Sequence, residues 1–78
     1  MRYHFHLRER DGYLPDDEGV ELASDEAAHK AAVAGARSIL ASEAAAGRLP
    51  LGTVIEVVNG NGRLVAEFPF RAVVAVDE

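Results

Sequence analysis

Cysteine and tryptophan are absent from this chain, and there is one lysine and one methionine. Without cysteine, neither a disulfide nor a thiolate-bound zinc can hold a small fold together. Aromatic residues amount to 6% and prolines number three, so few large side chains are on hand for a core. No apolar run approaches the roughly 20 residues that cross a bilayer. The seven arginines are scattered, with none of the clustering that phosphate contacts require. A net charge of −5 and a pI near 5.1 exclude a general polyanion binder. Neither nucleic acid nor membrane is therefore expected as a partner. The residues after Met1 enter a strand pattern at once, with no apolar signal core. The expected compartment is the cytoplasm.

What is present is globular: 49% apolar and 27% charged residues. The length of 78 residues suits a single domain over residues 1–78. Fourteen of the apolar residues are alanines, which bury little surface each. A domain of this size buries only about 60% of its unfolded surface, and its core supplies only ~3–5 kcal/mol. Self-association is the remaining common route to stability.

Residues 2–8 alternate, with Tyr3, Phe5 and Leu7 on one side and Arg2, His4, His6 and Arg8 on the other. That is the period of a half-buried strand. Asp11-Gly12 signals a turn, Tyr13 and Leu14 a short return strand, and Asp16-Asp17-Glu18-Gly19 a second turn before Val20 to Leu22. Ser24 is a good N-cap, with Asp25 and Glu26 in the first turn of a helix running to Ala46 and Gly47 as its C-cap. Ala28, Ala32, Val33, Ala36, Ile39 and Leu40 form its apolar stripe, and stripes of such small residues lie close on a sheet. Residues 53–58 and 63–68 read as strands around the hairpin loop Asn59-Gly60-Asn61-Gly62. On the returning strand Leu64, Ala66 and Phe68 are expected to face in, with Val65 and Glu67 facing out. Pro69 marks an edge or an ending. The expected fold is α+β: a ββαββ domain, an antiparallel sheet with one long helix on one face. The expected core is Phe5, Leu7, Ile39, Leu40, Ile55, Val57, Leu64 and Phe68.

Taken in order, "RYHFHLRERDG", "DDEGVEL", an alanine-rich helix and "IEVVNGNGRLVAEFPF" resemble domain-of-unknown-function family 6894, a family of short bacterial proteins. Its members open with R-Y-F-F-H-x-R-D-G, continue with D-x-E-G-x-E-L and end on a G-R-V-x-x-x-x-P-F hairpin. The match includes Arg2, Tyr3, Phe5, His6, Asp11, Gly12, Glu18, Gly19, Leu22, Gly62, Arg63, Pro69 and Phe70. His4 stands where the pattern has an aromatic residue, and Glu9-Arg10 is a two-residue insertion. The resemblance supports the fold and implies no activity.

Candidate chemistry is sparse. His4 and His6 lie on one strand face, about 6–7 Å apart at Cα. They are the candidate metal ligands, but zinc or iron needs a third and usually a fourth. His29 belongs to the helix and hence to the other side of the sheet. Asp16-Asp17-Glu18-Gly19 lacks the alternation and flanking helices of a calcium loop and reads as a turn. The glycine-rich hairpin lacks the helix and lysine of a phosphate loop. No catalytic residue and no cofactor is expected, and Ser24 is better explained as a cap.

The expected function is a protein–protein interaction or regulatory module. It should self-associate as a homodimer, or join a small protein partner, through the outer sheet edge and the 70–78 tail. That tail is flexible or interface-forming, with Val73, Val74 and Val76 as the interface residues. The alternative is a small-ligand or metal-binding module on the His4/His6 face.

Overall fold

The computed structural model describes residues 1–77. The alternation after Met1 produces β1, Arg2–Glu9, which sits at the centre of one antiparallel sheet. On one side it pairs with β2, Gly12–Leu14, and β3, Val20–Glu21. On the other it pairs with β4, Val54–Asn59, which pairs in turn with β5, Leu64–Pro69. The order is β2-β1-β4-β5, with β3 beside the start of β1. The helix α1, Asp25–Ala45, packs on one face of the sheet. The ββαββ, α+β expectation is met.

Each end of α1 is closed by the residues its sequence offers. The Ser24 hydroxyl accepts from the Ala27 amide at 3.1 Å, satisfying one of the first-turn donors. At the other end Gly47 takes φ +89°, a left-handed value that glycine reaches without a Cβ clash. Its amide donates to Ala44 O at 3.0 Å, and the Arg48 amide donates to Glu43 O at 2.8 Å. Gly35 does not break the helix. Ala28, Ala32, Ala36 and Leu40 recur every four residues and are its buried line. The three alanines, wholly buried, let the helix axis approach the sheet closely. Tyr3 fixes the start of α1 on β1, its hydroxyl donating to Asp25 Oδ1 at 2.6 Å. That bond, with desolvation and the Asp25 charge behind it, raises the phenol above its ordinary pKa.

The core joins Tyr3, the three alanines, Leu40, Ile55, Val57, Phe70 and Val73. Of the residues expected there, Leu40, Ile55 and Val57 are buried, while Phe5, Leu7, Ile39 and Phe68 pack against the cluster partly buried. Leu64 is a correction, being 50% exposed. The cause is a bulge: Val57 pairs with Ala66, but Val58 pairs with Leu64, so Val65 is an extra residue. An insertion of one reverses the faces before it. Leu64 lies beside Val58 on the outer face, and Val65 packs against the core.

Val73 is the second correction. Pro69 ends β5 opposite Val54, on an edge strand where a missing N–H is tolerated. Beyond it Phe70–Ala72 form a short 3-10 helix, and the Phe70 amide donates to Thr53 O at 2.8 Å. Arg37 Nε donates to Val73 O at 2.7 Å. Chain reversal thus carries Phe70 and Val73 inward, and Val73, 5% exposed, is core rather than interface. Val74 and Val76 stay on the surface. Glu78, the end of the expected tail, lies outside the described residues.

Candidate functional site

Neither β2 nor β3 covers residues 4–6 of β1, since their pairings stop at Leu7 and Tyr3. An uncovered strand segment leaves backbone donors without partners. Asp16 fills this gap. Its Oδ2 accepts from the Phe5 amide at 3.0 Å and its Oδ1 from the Gly19 amide at 3.1 Å. The strand alternation that aims His4 and His6 away from α1 also aims them at the loop. His4 Nδ1 donates to Asp16 O at 2.7 Å, and the Asp16 amide donates to His6 Nδ1 at 2.9 Å. The two rings stack with centroids 6.0 Å apart. Opposite tautomers follow from these partners: His4 carries its proton on Nδ1, while His6 must keep Nδ1 bare.

Gly19 closes the loop. At φ +70° a Cβ there would stand 2.7 Å from Tyr3 O and 2.9 Å from His4 Cε1, a distance no side chain tolerates. Partial desolvation pushes the Asp16 carboxyl up, but it is outweighed by the hydrogen bonds from Phe5 and Gly19, the nearby His4 and a bond from the Glu18 backbone. The net effect holds the carboxyl below its ordinary value of 3.8. Farther along the same face, Tyr13 Oη donates to Glu56 Oε1 at 3.0 Å. Arg8 pairs with Glu56 and reaches Glu67 at 3.4 Å. Burial and the Glu56 contact raise the Tyr13 phenol, with Arg8 opposing.

The arrangement is a loop lock. Each histidine has its Nδ1 committed to Asp16 backbone, and among the described residues no three His, Cys, Asp or Glu side chains gather as a metal would need. His29 is on the helix side, edge-on to Phe68 at 5.8 Å, and its buried Nε2 has no hydrogen-bond partner among the described residues. Zinc, nickel or iron added to metal-free protein is therefore expected to leave the melting temperature unchanged. A site filled at 100 times its Kd would add about 2.7 kcal/mol, roughly 10–20 °C in a domain this small. A rise of that size, lost in a His4→Ala/His6→Ala variant, would establish a metal site.

The other candidate signals are spent locally. In the hairpin, Asn59 Oδ1 accepts from the Asn61 and Arg63 amides at 3.0 and 3.1 Å, which takes up donors an anion would use. Sequence reasoning named the acidic turn but missed that Asp16 organises it. The available signal was an Asp directly after Pro15, opposite a strand bearing His-x-His. A second feature, an open apolar groove of about 460 Å³, runs between the C-terminal half of α1 and the tail. Leu40, Ala41, Leu49, Leu51, Val74 and Val76 line it.

Fold and site together define a class: a small α+β protein, one helix on an antiparallel sheet, whose outer histidines lock a loop. The chain belongs to the family described as Domain of unknown function (DUF6894), whose model matches residues 2–71. No curated protein and no solved structure matches the chain. Several residues that carry the resemblance have direct structural duties, Gly19 in the loop and Phe70 in the core among them.

Proposed function

We propose that the chain is a cytoplasmic protein–protein interaction module without catalysis of its own, and that it self-associates over the surface formed by α1, Leu49 to Leu51 and the tail. One observation carries this reading. Leu49, Val74 and Val76 are 64%, 38% and 65% exposed, and all three rim one apolar groove floored by Leu40 and Leu51. Contiguous exposed apolar surface on a small protein marks a contact site. A two-fold pairing of identical patches is the commonest way for a chain to cover one. A standard interface takes ~800 Å² from each partner, about a sixth of the 5176 Å² here. The helix face, the 49–51 loop and the tail must then all take part.

Sedimentation of the full chain at high micromolar concentration is expected to show a dimer. Leu49→Asp/Val76→Asp should give a folded monomer, because both side chains are on the surface. A chain ending at Val73 should do the same while keeping the core. A monomeric wild-type chain at that concentration would defeat the proposal.

A further inference from the structure

A second groove, of about 390 Å³, lies between α1 and β5 and is lined by His29, Lys30, Val33, Ala34, Arg37 and Phe68. Its charged members are both cations. Neither Lys30 nor Arg37 has a carboxylate within salt-bridge distance among the described residues; Arg2, Arg8 and Arg48 do, and Arg10, Arg63 and Arg71 do not, but Lys30 and Arg37 alone line this groove. Arg37 is held in place through Nε by Val73 O, which leaves its terminal nitrogens free to donate. In a chain of net charge −5, two such cations sharing one apolar floor give this groove a local positive charge. The acidic residue of β5 does not neutralise them: Glu67 pairs with Glu56 and reaches Arg8 on the opposite face.

The groove also borders backbone that is open for pairing. Among the described residues β5 has β4 on one side and no strand on the other. The Phe70 amide bond to Thr53 O sets the ladder's phase, so Phe68 and Ala66 bond inward and Glu67 presents its N–H and C=O outward. A small carboxylate would use the cations but not this edge. An extended polypeptide uses both, with main-chain bonds to the edge and alternate side chains over the groove.

We infer that β5 and α1 together bind an extended peptide of a partner protein by strand addition. An apolar side chain would enter the groove and an Asp or Glu two residues away would meet Lys30 or Arg37. Same-face positions on the added strand are about 6.7 Å apart. Lys30 and Arg37 are separated by two helical turns, about 10.5 Å. Their long side chains bridge that difference. Arg37 borders both this groove and the tail groove proposed for self-association, whereas Lys30, Ala34 and Phe68 line this one alone and Leu49 and Val76 the other.

The test uses three blocked peptides alternating threonine and valine. In the first, one valine-face position is glutamate; in the second that residue is lysine; the third repeats the first with its edge-facing amides methylated. Titration calorimetry and amide spectra of the full chain read the outcome. The glutamate peptide should bind and shift the β5 amides and the His29 ring signals, and the other two should not bind. Lys30→Glu and Ala34→Glu change exposed positions and should each weaken binding about tenfold or more. The Leu49→Asp/Val76→Asp variant should bind as the wild type does, so failure to dimerise leaves this result standing. Equal binding of the glutamate and lysine peptides would overturn the charge reading. Undiminished binding of the methylated peptide would overturn strand addition. No saturation by any peptide up to about 1 mM would overturn the site.

Discussion

Phe70→Ala is expected to remove most of the stability of this fold, about 3–5 kcal/mol by the usual penalty for emptying a phenylalanine site. Phe70 and Val57 are the largest wholly buried side chains, and Phe70 also joins the end of β5 to α1 and to Thr53. A core this lean supplies only ~3–5 kcal/mol in total, so the variant should populate unfolded chain at room temperature. Near-ultraviolet dichroism and urea titration would show it. Val74→Ala, two-fifths exposed, is the control; made in the Leu49→Asp/Val76→Asp background, where no dimer contact is at stake, it should fall within about 0.5 kcal/mol of that parent. Phe5→Ala should cost less than Phe70→Ala, because Phe5 is only partly buried. An unfolding midpoint for Phe70→Ala close to that of wild type would show that the tail does not seal the core.

The second large effect belongs to Asp16. Asp16→Ala removes two hydrogen bonds to a carboxylate and leaves the Phe5 and Gly19 amides without their acceptors. Bonds to charged groups contribute about 1.5–3 kcal/mol each. With the carboxylate partly exposed, a total loss of about 2–3 kcal/mol is expected. Gly19→Ala should cost a comparable amount through the clash with Tyr3 O and His4. The pH dependence has a definite sign. The Asp16 carboxyl is depressed in the folded state, so its contribution is fully present above the ordinary value of 3.8 and is lost as pH falls through the lower folded value. Asp16→Asn keeps one acceptor, should lose about half as much at neutral pH, and should flatten the stability curve below pH 3.8. A curve of unchanged slope in the Asn variant would move the acid sensitivity to another group.

Local chemistry was the legible part of the sequence. The Ser24 cap, the Gly47 ending and the Asn-Gly hairpin depend on neighbours within four residues, and each appears where the residues place it. The β1 alternation was legible because apolar side chains meet α1 on one face while polar ones meet the Asp16 loop and solvent on the other. Leu64 was misplaced because a bulge is a mismatch between two strands, and a period counted along one strand does not reveal it. Phe70 and Val73 were missed for a related reason. After Pro69 the chain bends into a 3-10 turn toward α1, and no repeat of period two or 3.6 marks a bend. In the candidate site, the histidines and the acidic turn could be read separately. Their union across ten to twelve residues, through the backbone of Asp16, is a tertiary fact.

The two flanks of the sheet differ in a way that bears on polymer formation. One flank is made of strands of three and two residues with Asp16 plugging the space between them, and pieces so short are poor templates for a foreign strand. The other is β5, six residues long, whose bulge at Val65 and terminal Pro69 leave the stretch around Glu67 open. When two copies join β5 to β5, each covers the other's long edge, and the combined sheet ends on two short flanks. Runaway stacking into fibrils needs two sticky sides per unit. Edge pairing between copies is therefore expected to close at two as long as the Asp16 loop stays in place, whereas an added peptide strand would carry a new edge of its own.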